Sequence, residues 1–147
     1  MKKGILVLTC MILISSIVLY AKPEPLKPRM ESSLSSKNVI HDNREKTVIF
    51  LSITNTSKEA FMAPGYSYLA ELFVIKNPAT GKRFPDSQWV SNLRRKKRWD
   101  PGIKVGPKST VHIMYFLDQL VKPGKAEKAV VTCGPGLGKV APLTVTF

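Results

Sequence analysis

Short apolar runs, each cut off by turn chemistry within a few residues, constrain this chain more than any other feature. From Lys37 onward the sequence repeats that design. Val48 to Thr54 is β-branched and aromatic, with Ile49, Leu51 and Ile53 on one face, and it ends in the turn cluster Asn55-Thr56-Ser57. Tyr68 to Ile75 reads as a second strand, with Leu69, Phe73 and Ile75 to one side and Leu72 and Val74 to the other, closed by Asn77-Pro78-Ala79-Thr80-Gly81-Lys82. Gln88 to Leu93 reads as a short strand, and turns follow at Asp100-Pro101-Gly102 and Gly106-Pro107-Lys108. Thr110 to Leu117 alternates Val111, Ile113 and Tyr115 against His112 and Met114. Pro123-Gly124 breaks the chain again, and Lys128 to Cys133 and Leu143 to Phe147 complete the set. No run here carries a helical period. Strands at this spacing imply an all-β fold, an antiparallel β-sandwich of about seven strands. A small barrel or an α+β domain, with one helical turn hidden in Asp118 to Val121, is the alternative.

The N-terminus follows different rules. Met1-Lys2-Lys3 is a short positive segment, Ile5 to Leu19 is almost wholly apolar, and Lys22-Pro23-Glu24-Pro25 ends both helix and apolarity. That is the layout of a bacterial-type secretory signal over residues 1–21, which implies a periplasmic or secreted protein. Leu19 stands where a small residue is preferred before cleavage after Ala21, and the apolar run nearly suffices to span a bilayer. An uncleaved anchor over residues 4–21, with membrane contact through that segment, is the alternative. Cys10 lacks the small residue that usually precedes a lipidated cysteine. Residues 22–36, proline-rich and then serine-rich, read as an extended tether to a domain over residues 37–147.

Composition matters mainly through charge. In 147 residues there are 23 Lys and Arg against 10 Asp and Glu, a net charge of +13. Loss of residues 1–21 removes Lys2 and Lys3 but no acid, so the balance stays strongly positive. Such a surface favours anionic partners, or serves solubility alone. Export argues against nucleic acid. An acidic protein, or an anionic polymer or lipid of the envelope, is the partner class expected.

A resemblance bears on the fold. Val48 to Asn55 with Thr56-Ser57-Lys58 looks like the first half of an Ig-like module, where an apolar strand ends in an Asn-x-Ser turn. Val105-Gly106-Pro107-Lys108-Ser109-Thr110, a strand, then Phe116-Leu117-Asp118 resembles a later segment of such modules. Over residues 46–147 the pattern is similar to small secreted Ig-like domains, including BsuPI-type proteinase inhibitors and the non-catalytic domain of deuterolysin-type proteases. Gly134-Pro135-Gly136-Leu137-Gly138-Lys139 departs from it, replacing the usual short hairpin link. The resemblance implies an Ig-like sandwich and carries no functional residue across.

Chemistry is sparse. His41 and His112 have no metal-ligand spacing with each other or with Cys133. His41-Asp42 with Cys133 could form a nucleophile–base set only by tertiary assembly, and nothing local supports it. No catalytic residue, metal ligand or cofactor is expected. Cys133, in the apolar run Ala129 to Cys133, reads as a buried thiol, with a reactive or intermolecular one the alternative. The glycine-rich segment 134–139 lacks the Gly-Lys-Ser/Thr ending of a phosphate loop and reads as a turn between strands.

Two stretches stand out as binding candidates. Arg94-Arg95-Lys96-Lys97-Arg98 is a run of cations bracketed by Trp89 and Trp99, and aromatic residues beside cations suit a partner with both charge and an apolar face. A solvated loop or edge strand guarded by charge accounts for it equally. Phe61, Tyr66 and Tyr68, with Met62, crowd a turn, either capping the core or forming an exposed aromatic patch. The function expected is a non-catalytic envelope protein that binds a protein, as a hydrolase inhibitor or effector-immunity protein does. A binder of anionic polymer or lipid is the alternative, and an enzyme with no recognisable site the third reading.

Overall fold

The computed structural model describes residues 30–96, 100–122, 124 and 126–147. The expected signal segment, most of the tether, and Lys97, Arg98 and Trp99 lie outside the described residues. The order of elements is β1 (Met30–His41), β2 (Arg44–Asn55), β3 (Phe61–Ala63), α1 (Tyr66–Glu71), β4 (Phe73–Lys76), α2 (Gln88–Lys96), β5 (Ile103–Val105), β6 (Thr110–Phe116), α3 (Leu117–Leu120), β7 (Lys128–Cys133) and β8 (Leu143–Thr146). Strands dominate, and all their pairings are antiparallel. They form three sheets, ordered β1-β2-β6, β3-β5 and β4-β7-β8.

β2 is the spine. Ile49, Leu51 and Ile53 are fully buried, as their alternation requires, and they pair across to Tyr115, Ile113 and Val111 of β6. The same core takes Phe73 and Ile75 from β4, Ala129 and Val131 from β7, Val145 from β8 and Val105 from β5. The glycine-rich segment is the link between β7 and β8, and it delivers Leu137, fully buried, into that core. Gly136 and Gly138 there have φ of 113° and 74°, which side-chain-bearing residues avoid. No helix follows it.

Three expectations need correction. The stretch Tyr68 to Ile75 is not one strand, because Tyr66–Glu71 is helical and only Phe73–Lys76 pairs in a sheet. Gln88 to Leu93 is helix α2, not a strand. Ser87 caps it: its hydroxyl accepts from Val90 N–H at 3.1 Å while donating to the Gln119 carbonyl at 2.5 Å. The expected tether ends earlier, since residues 30–36 form the first half of β1. That strand turns into β2 at Asp42 and Asn43, whose φ values of 52° and 57° suit a type I′ hairpin. The helical turn weighed for Asp118 to Val121 exists one residue earlier, as α3.

Candidate binding surface

The two stretches singled out from sequence meet where α1 lies beside α2. Tyr66 opens α1 and Trp89 sits in the first turn of α2, with ring centroids 5.8 Å apart. Tyr66 also stacks on Tyr115 at 4.4 Å, and Phe73 meets Tyr115 edge-on at 5.2 Å. The hydroxyls lock this stack: Tyr66 donates to the Met114 carbonyl at 3.1 Å, and Tyr115 donates to the Tyr66 carbonyl at 2.6 Å. Burial raises the Tyr66 phenol pKa above its ordinary value, a hydrogen bond with Gln119 opposes the rise, and the Asp100 charge adds to it. Tyr115 is raised further, again chiefly by burial. These rings are therefore positioned as neutral packing groups.

Arg94 ties the two helices together. Its guanidinium donates to the Glu71 carbonyl at the end of α1 at 2.8 Å and pairs with Asp86 at 2.9 Å. Asp86 is held in turn by Arg83 at 3.0 Å. Glu71 Oε1 is shielded, with no hydrogen-bond partner among the described residues. Arg95 donates to Asn92 at 3.1 Å, and Lys96 is exposed. Neither Arg95 nor Lys96 has an acidic partner among the described residues. All three cations occupy the last turn of α2, where they face the negative end of the helix dipole. Asp100 closes the far side, accepting from Ser67 N–H at 3.0 Å and from the Ser67 hydroxyl at 2.6 Å. Gly65 is needed there, because a Cβ on it would come within 2.5 Å of the Asp100 carbonyl oxygen.

The candidate residues divide into two groups. Phe61, Tyr66 and Trp89 pack against the core and are half-buried. Arg94, Arg95, Lys96 and Tyr68 reach solvent, Tyr68 at 37%. Tyr68 lines a shallow cavity of about 380 Å³ with Pro64, Gly65, Asp100 and Gly102. Met62, 62% exposed, reaches toward the Gly102 wall of that cavity. Asp86, Glu71 and Asp100 were not singled out from sequence, although Asp86-Ser87 just before an apolar-periodic segment is a helix-start signal.

The other reactive side chains stand elsewhere. His41 stacks on Phe116 at 4.9 Å beside the hairpin turn, and His112 Nδ1 meets the Ser52 hydroxyl at 2.8 Å. Cys133 ends β7 half-buried against the core, and burial pushes its thiol up to about 11. Among the described residues no group of three or more His, Cys, Asp or Glu side chains is placed to hold a metal ion. No helix of the described residues is long and apolar enough to cross a membrane. No protein family, no curated protein and no solved structure matches the chain.

Proposed function

We propose that this chain is an exported, non-catalytic binding protein of the bacterial envelope, an Ig-like β-sandwich whose α1–α2 surface docks an acidic protein. A hydrolase inhibitor or an effector-immunity protein is the kind of protein meant. The observation that carries the reading is the placement of Arg95 and Lys96, cations without acidic partners among the described residues, on a helix braced by the Arg94 clamp and the Trp89–Tyr66 contact. Preorganised cations lose little freedom on binding, so they contribute more to affinity than the same charges on a floppy loop. The exposed Tyr68 and Met62 supply apolar contact of the kind that anchors protein interfaces. The leader-like N-terminus and the net charge of +13 agree with an anionic partner met outside the cytoplasm.

The test is affinity capture from the source cell's envelope extract at moderate and at high salt, with retained material identified by mass spectrometry. One protein held at a fixed ratio through high salt is the expected result. Polysaccharide or lipid that leaves as salt rises would replace this reading with a surface-polymer binder.

A further inference from the structure

Edge strands of a sheet are normally blunted, and the two edges of β1-β2-β6 differ in this respect. The β6 edge is occupied, since the outward carbonyl of Met114 accepts the Tyr66 hydroxyl. β1 runs for 12 residues and pairs, among the described residues, with β2 alone. Its hydrogen-bonding phase follows from the hairpin. A two-residue turn makes the flanking pair His41↔Arg44 a hydrogen-bonded one, so the odd-numbered residues of β1 bond to β2. The next ladder keeps the same phase, with Asn55 N–H donating to the Ser109 carbonyl at 2.8 Å. The even-numbered residues of β1, Ser32, Leu34 and Ser36 among them, therefore present their backbone N–H and C=O groups to the open side.

We propose that this edge is a self-association surface, on which β1 of a second copy adds antiparallel about a two-fold axis at Leu34. Backbone phase permits this axis, and charge selects it. Leu34 has the outward phase of a hydrogen-bonded pair, so Leu34 of one copy can exchange both backbone bonds with Leu34 of the other across the axis. The same axis sets Glu31 of each copy opposite Lys37 of the other. Those positions form a non-hydrogen-bonded pair, the kind whose side chains approach most closely. Glu31 and Lys37 are both exposed, on the solvent-facing side of the strand, and neither has an ion-pair partner among the described residues. The remaining pairs place serine against serine, Ser32 with Ser36 and Ser33 with Ser35, which repel nothing. In a chain of net charge +13, β1 balances Glu31 against Lys37, and that balance suits a copy of itself better than a strongly acidic partner. This interface is separate from the α1–α2 surface.

The experiment uses the chain as its host processes it, in sedimentation velocity across a concentration series. The native protein is expected to dimerise. Glu31→Lys sets two Lys–Lys contacts across the axis and Lys37→Glu two Glu–Glu contacts, and each is expected to weaken dimerisation about tenfold or more. Mixing the two variants restores both attractions and is expected to restore a dimer, as is combining them in one chain. Simple damage to the fold would not reverse on mixing. Amide exchange gives a second measurement, with protection of the Leu34 and Ser36 N–H groups rising with protein concentration. A native protein that stays monomeric, unchanged association in the single variants, no rescue on mixing, or concentration-independent exchange at Leu34 would each overturn the proposal.

Discussion

Asn55 is fully buried at the end of β2, and its side chain organises the next turn. Its amide nitrogen donates to the carbonyls of Glu59 at 2.7 Å and Gly106 at 2.9 Å, and its oxygen accepts from Ser57 N–H at 2.9 Å and the Ser57 hydroxyl at 2.7 Å. Asn55→Ala removes these bonds together with a donor to the buried Val105 carbonyl at 3.2 Å, and is expected to cost about 1–3 kcal/mol. Urea unfolding checks it, as a lowered midpoint with an unchanged slope. Asn55→Asp keeps the shape but replaces the donor with an acceptor facing carbonyls, and should cost more at neutral pH than Asn55→Ala. Cys133 gives a pH signature. Its thiol ionises at about 11 when folded, against an ordinary value of 9.0, so above pH 9 the unfolded chain loses its proton first. The neutral thiol's contribution is complete below pH 9 and is lost as pH rises toward 11. Stability measured from pH 8 to 11 is expected to fall, and Cys133→Ala to flatten part of that fall, Tyr66 and Tyr115 supplying the rest.

At the scale of elements, the features that were hard to foresee are those whose sequence signals compete. β2 and β6 were readable because alternation of Ile49, Leu51 and Ile53, and of Ile113 and Tyr115, matches a strand with one face on the core. Gln88 to Leu93 reads as a strand because so short an apolar pattern, Trp89, Val90 and Leu93, suits either element, whereas the Ser87 cap commits it to a helix. Ser87→Ala removes that cap and leaves the Gln119 carbonyl short of a donor, so a loss of about 1–2 kcal/mol is expected by thermal or urea unfolding. α1 is six residues of mixed propensity held by tertiary contacts, which no local pattern reports. Residues 30–36 read as tether because their serines are polar on both faces, yet Met30, Ser32 and Leu34 alternate inward and Asp42-Asn43 supplies the turn that pairs the strand. Asn43 tolerates a positive φ better than most residues. Asn43→Gly is expected to hold or raise stability and Asn43→Val to lower it by about 1–2 kcal/mol, read from the same unfolding curves.

For the whole molecule, charge and apolar pattern divide the work. The antiparallel sheets share one core, and within the candidate surface the aromatic residues are used mainly to fix α1 against α2. The cation run is legible as a surface feature, but the pairing of Arg94 is not, because it depends on α2 carrying Arg94 back onto Asp86 in the preceding loop, and the sequence reads as a strand there. The proposed function stands on Arg95 and Lys96, which have no acidic partner among the described residues. The measurement that bears on it most directly compares envelope material captured by the native protein and by the Arg95→Glu/Lys96→Glu double variant, side by side at high salt. Both residues are exposed, so the variant should fold, and circular dichroism checks that. Loss of one stoichiometric protein from the variant's captured material is the result expected, and an identical captured set on both would contradict the account.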